Sequence, residues 1–145
     1  MELSRVFLRY ARDVQTGLLV PSRIDVDSDG TLYVADSRHQ KIFKFDRYGE
    51  EVESLSAVEI SGTGLAVAAD GSVYAAAGDK VAIYDETGAF AGYLGGGAGE
   101  FGYAGDIDID VNGNIYVVDN TAGRVKVFAP GASVGTIFGN LTFTG

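Results

Sequence analysis

The chain has no cysteine and no tryptophan, and only two prolines, one methionine and one histidine among its 145 residues. Without cysteine there are no disulfides, no thiolate metal sites and no cysteine nucleophile, although no compartment follows from that. A single histidine, His39, cannot supply the shell of a multi-histidine metal centre. Nowhere do eighteen apolar residues run without interruption, so no membrane-spanning helix is expected. Basic residues are also scarce. Against 20 Asp and Glu stand 11 Lys and Arg, a net charge of −9. That balance disfavours nucleic acid and anionic membrane as partners, since both demand a basic face. The opening residues 1–10 lack the apolar run of a signal peptide. The expectation is therefore a cytosolic protein, or else a mature form or excised piece, which leaves an extracytoplasmic location open.

Glycine, by contrast, is plentiful at 21 residues, and 46% of the chain is hydrophobic, enough for the core of one ordinary domain. The organising stretch is Ile24-Asp25-Val26-Asp27-Ser28-Asp29-Gly30-Thr31-Leu32-Tyr33-Val34-Ala35-Asp36. It returns as residues 65–77 and again as residues 107–119. The matching tyrosines Tyr33, Tyr74 and Tyr116 give periods of 41 and then 42. Several short strands in each copy of a repeat near 40 residues signify a β-propeller blade.

In the first copy the reading is strand a over 23–27, strand b over 31–35, strand c over 41–45 and a polar outer strand d over 51–55. Asp29-Gly30 is taken as a two-residue hairpin turn with both positions at positive φ. Asp46-Arg47-Tyr48-Gly49 and Asp85-Glu86-Thr87-Gly88 read as type I turns. Gly95-Gly96-Gly97-Ala98-Gly99 reads as a linker between blades rather than a phosphate cradle, because no helix follows it. Register makes Val6–Tyr10 the counterpart of Ala89–Tyr93, an outer strand whose inner partners are elsewhere. The expected organisation is one all-β segment over 1–145. It has an outer strand at 5–10, then three four-stranded blades at 22–56, 63–95 and 105–139. Three blades do not close a ring. The chain is then a partial propeller, half of a six-bladed ring made by two chains, or an open stack.

The pattern apolar–Asp–apolar–Asp–x–(Asp/Asn)–Gly–x–(Leu/Ile)–Tyr–Val–x–Asp, followed by a basic residue and an apolar–x–apolar–Phe strand, resembles the NHL repeat. Copies one and three fit best. Copy two has Ala77 in place of the last aspartate, and the namesake tripeptide is replaced by His39-Gln40-Lys41-Ile42 and Ala122-Gly123-Arg124-Val125. The resemblance implies an NHL-type β-propeller. Its relatives include RNA-binding and protein-interaction modules, sensor domains and a few lyase- or hydrolase-like enzymes, so fold is implied more firmly than function.

Asp25-x-Asp27-x-Asp29-Gly30 with Asp36 in twelfth place imitates a calcium loop, and Asp108-x-Asp110-x-Asn112-Gly113 with Asp119 repeats it. Strands rather than helices flank both copies. The favoured reading makes these aspartates structural, bonded to backbone or to tyrosine between blades. Calcium on Asp25, Asp27, Asp108 and Asp110 is the alternative. Arg38, His39, Lys41 and Arg124 are the candidate partner-binding residues, with salt bridges to nearby aspartates as the simpler account. The repeated tyrosines are expected to pack blade against blade. The resulting expectation is a non-enzymatic module without a cofactor that binds a protein or glycan and self-associates. The alternative is a divalent-metal lactonase- or lyase-like enzyme.

Overall fold

The computed structural model describes residues 8–14, 17–55 and 58–130. Each copy of the repeat folds into its own antiparallel sheet. Blade 1 contains β1 (Pro21–Val26), β2 (Leu32–Asp36), β3 (Lys41–Phe45) and β4 (Glu51–Val52), hydrogen-bonded in chain order. Blade 2 repeats this with β5 (Leu65–Val67), β6 (Val73–Ala77), β7 (Lys80–Tyr84) and β8 (Phe90–Tyr93). Blade 3 contributes β9 (Ala104–Ile109), β10 (Ile115–Asp119) and β11 (Arg124–Phe128). Its expected fourth strand falls at 134–138, outside the described residues. In the expected leading strand, Val6 and Phe7 also lie outside them, and Leu8–Tyr10 belongs to no strand. Strand d of blade 1 is shorter than the sequence suggests, two residues rather than five.

Strand alternation gives every blade two faces. We call the face towards the preceding blade its front and the other its back. The back of blade 1 (Tyr33, Ala35, Ile42) and the front of blade 2 (Leu65, Val73, Ala75, Ala82, Tyr84) share one buried core. Leu55 and Ile60, from the connection between the blades, complete it. The back of blade 2 (Ala66, Ala76, Val81) meets the front of blade 3 (Ile107, Ile115, Val117) in a second core closed by Phe101. Inner strands β1, β5 and β9 run side by side. At Gly64 a methyl group would collide with the Gly105 carbonyl, so glycine sets how closely β5 and β9 approach.

Five turns line one end of the blades, and they share one construction. In Asp27–Thr31, Asp46–Glu50, Ala68–Ser72, Asp85–Ala89 and Asp110–Asn114 the first residue exchanges two backbone bonds with the fourth and fifth. The fourth is always glycine, with φ between 85° and 90°. These are type I turns closed by a glycine in the left-handed region. This corrects the two-residue turn expected at Asp29-Gly30, since among the described residues only Gln40 has positive φ without being glycine. The physical reason is the leading aspartate. Asp27 Oδ1 accepts from the amides of Asp29 (2.9 Å) and Thr31 (2.9 Å). Asp46, Asp85 and Asp110 hold the same pair of amides in their own turns. The carboxylate thus stabilises the longer turn.

Only the Ala68 turn lacks that carboxylate, and there Asp70 Oδ1 takes the single amide of Ser72. Ala68→Asp is expected to stabilise the protein by about 1 kcal/mol, the usual yield of restoring a repeat's own turn chemistry. Thermal unfolding of the variant beside the parent checks this, the expected outcome being a higher midpoint.

Candidate functional site

The end of the blades opposite the turns carries the loops from strand b to strand c and the connections between blades, and it is organised by buried carboxylates. Asp36, fully buried at the end of β2, accepts four backbone amides. Leu19 (2.7 Å) and Val20 (3.1 Å) reach its Oδ2, and Arg38 (3.0 Å) and His39 (2.9 Å) reach its Oδ1. One side chain therefore ties the segment entering β1 to the loop leaving β2. Burial by itself raises the Asp36 pKa. The bonds from His39, Leu19 and Val20 overcome that and hold it down at about 2.

Asp119 repeats the arrangement in blade 3, where its Oδ1 accepts from Gly102, Tyr103 and Ala122. Its pKa is likewise lowered: burial raises it, and the amides together with the Arg124 charge more than offset this. Its Oδ2 is buried without a hydrogen bond, with Arg124 Nε 3.6 Å away.

Blade 2 has Ala77 at this place, yet the function of the carboxylate survives two residues later. Asp79 accepts from Gly99 (3.3 Å) and pairs with Lys80 (2.9 Å), and its carbonyl takes the amide of Phe101. The glycine run 95–99 is thereby pinned to the blade 2 loop, with a single 3-10 turn over Leu94–Gly96. Sequence reasoning missed Asp79. The available signal was the strand b–c connection, two residues shorter in this copy.

The four carboxylates singled out as calcium ligands are not brought together: among the described residues no three acidic or histidine side chains are grouped to hold a metal ion. Asp27 and Asp110 serve their turns, and their second oxygens accept Tyr33 Oη (3.3 Å) and Tyr116 Oη (2.9 Å) within the same blade. Asp25 Oδ2 crosses to blade 2 and accepts the Val67 amide at 2.7 Å. Asp108, its counterpart in blade 3, accepts only the amide of its own neighbour Ile109.

Of the basic residues, His39 sits with Nδ1 3.4 Å from Asp36 Oδ2 and its ring edge against Phe43. Lys41 lies over the Phe43 ring at 4.6 Å, and Arg124 leans on Asp119. Arg38 is exposed. These groups do not form one patch, because blade 2 separates Arg38, His39 and Lys41 from Arg124.

The largest departure from the repeat is at the back of blade 3. Tyr33 and Ile42 on the back of blade 1 are 5% and 1% exposed, and Val81 on blade 2 is fully buried. Their blade 3 counterparts Tyr116 and Val125 are 37% and 55% exposed, and Val127 beside them is 48% exposed. This apolar sheet face is unpartnered among the described residues. The sequence already carried the signal: the same strand pattern three times over, with only two interfaces between three blades.

Residues 18–45 match the family model for the NHL repeat. No curated protein sequence matches the chain. Among solved structures, the chain is similar to a nidogen/laminin complex (19% identity, TM-score 0.58, covering 79% of this chain and 49% of that one). It is also similar to hydrazine synthase of Kuenenia stuttgartiensis (18% identity, TM-score 0.56, covering 83% and 38%). A third similar structure is virginiamycin B lyase from Staphylococcus aureus (16% identity, TM-score 0.55, covering 77% and 41%). The chain spans less than half the length of each of these structures. At these identities the likeness establishes the β-propeller fold and nothing of activity.

Asp36→Asn keeps the shape but presents an amide donor to donors, at an expected cost of about 3 kcal/mol. Because the folded-state pKa lies below the ordinary 3.8, the Asp36 contribution is fully present above pH 3.8 and is lost as pH falls through about 2. Urea unfolding at several acidic pH values should show a shallower acid limb for the variant than for the parent.

Proposed function

We propose that this NHL-repeat β-propeller chain is a non-enzymatic interaction module that binds a protein partner on the back of blade 3, and that it self-associates. The observation that carries the proposal is the exposure of Tyr116, Val125 and Val127, where Tyr33, Ile42 and Val81 are buried and Tyr74, Lys44 and Ile83 are half-buried in blades 1 and 2. A sheet face built to receive another blade, left open, is a binding surface of protein-like chemistry. Completing the burial of three such half-exposed side chains contributes about 1 kcal/mol each. Flat apolar strands suit a protein surface better than a glycan, whose hydroxyls need converging polar groups.

One further feature supports the reading. Of the four carboxylates considered as metal ligands, Asp25, Asp27 and Asp110 are engaged in turns and backbone contacts, and Asp108 alone keeps an oxygen that meets nothing among the described residues. The lyase among the similar structures bears on the fold only.

The test is photo-crosslinking from Val127, with Tyr48 on the turn end as control, in extract of the source cells. A covalent protein adduct from position 127 and none from position 48 is expected. Adducts only from Arg38 on the loop end, or none at all, would overturn the proposal.

A further inference from the structure

The front of blade 1 is the complement of the back of blade 3, and both are open. On blade 1, Ile24 is exposed where its counterparts Leu65 and Ile107 are buried beneath a preceding blade, and Val26 is exposed where Val67 and Ile109 are half-buried. The rest of that front, Val34, Phe43 and Phe45, is packed under Val14 and Leu18. Those two residues occupy the place that Leu55 and Ile60 take in the core between blades 1 and 2. The described residues before β1 therefore leave Ile24 and Val26 open. They are already arranged as the connecting segment is in a completed interface.

Resting on the reading above, we infer that the protein on the back of blade 3 is a second copy of this chain. The copies join head to tail, blade 3 of each against blade 1 of the other, so that two chains close one six-bladed ring.

Polar pins of the existing interfaces set the register. Between blades 1 and 2, Asp25 Oδ2 accepts the Val67 amide and Ser22 Oγ donates to the Gly62 carbonyl at 2.8 Å. Between blades 2 and 3 the pin is Thr63 Oγ1, donating to the Ala104 carbonyl at 2.9 Å. The Asp25 position is Ala66 in blade 2 and Asp108 in blade 3. Asp108 is exposed, and among the described residues nothing meets its Oδ2. In the ring it faces the amide of Val26 of the second copy, one repeat before Val67, and shares that donor with Asp25 Oδ1, which accepts it at 2.8 Å within its own chain.

Two identical contacts related by a twofold along the ring axis satisfy both open faces of both copies, leaving none for further growth. Each copy carries a charge of −9, so the contact forms against repulsion and tightens as salt is added.

Sedimentation equilibrium of the purified chain is the test. The expected mass is twice 15.2 kDa, with association strengthened by salt. Ile24→Asp spoils the front and Val127→Asp the back. Each alone should sediment as a single chain while keeping its β-sheet circular dichroism. An equimolar mixture of the two variants should regain a two-chain species, because one of its two interfaces is unaltered. Asp108→Ala, which disturbs no core, should weaken association by about tenfold.

A single-chain mass for the parent at about 100 µM would overturn the inference. So would a larger polymer, a variant mixture that stays single, or an Ile24→Asp protein that still pairs, which would mean back-to-back contact. These outcomes are separable from failure of the broader proposal. A single-chain parent that still yields an adduct with a different protein from position 127 sinks the second copy and self-association but leaves the partner-binding surface standing. Absence of any adduct sinks the interaction reading itself.

Discussion

A carboxylate surrounded by backbone amides is the interaction on which this structure depends. β-Strands satisfy their own backbone groups within each sheet, but the chain must repeatedly leave one sheet and enter the next. There its amides would be buried without partners, at a cost of about 1–3 kcal/mol each. A neutral side chain can accept one or two such donors. An ionised carboxylate accepts four, and Asp36 does so. Charge-assisted bonds of this kind are about twice as strong as neutral ones. The same chemistry, less buried, fixes the turns at the other end of the blades. Much of the chain's acidity is accordingly structural, and it reports on hairpins and blade junctions rather than on a ligand.

The legibility of the sequence follows from this. The blades could be read because strand alternation, the Asp–x–x–Gly turns and the tyrosine period all repeat, and coincidence does not repeat three times. Strand β3 falls at Lys41–Phe45 as expected, since its alternation is bounded by turns on both sides. Turn type was less legible. Asp29-Gly30 is a strong two-residue signal, and the competing influence of Asp27 lies two positions earlier, where a dipeptide rule does not look. Asp79 was invisible for a related reason: its role comes from where the glycine run passes in space, twenty residues later in sequence. The tyrosine–aspartate contact was foreseen but assigned between blades, whereas Tyr33 and Tyr116 each return to a turn of their own blade.

The open faces were legible only in outline. Counting blades says that a ring is unfinished. It does not say that the front of blade 1 already holds Val14 and Leu18 in the manner of a completed junction. Nor does it distinguish Asp25, whose carboxylate spans two blades, from Asp108, whose equivalent oxygen meets nothing among the described residues. Partner recognition is a property of which repeated positions have been left unsatisfied. It emerges only when the repeats are superposed in space and compared atom by atom.

Blade 2 departs most from the repeat, with alanine where its neighbours carry the turn aspartate and the buried clasp. It is also the one blade sandwiched on both sides. In a linear array, stability divides into what each unit supplies alone and what each junction adds. Here the units at the ends hold the stronger local reinforcement, and the unit in the middle relies on its junctions. An array of that composition has little tendency to fray from its ends inward. Its weakest member cannot unfold without dissolving both junctions at once, which couples all three blades into a single cooperative unit.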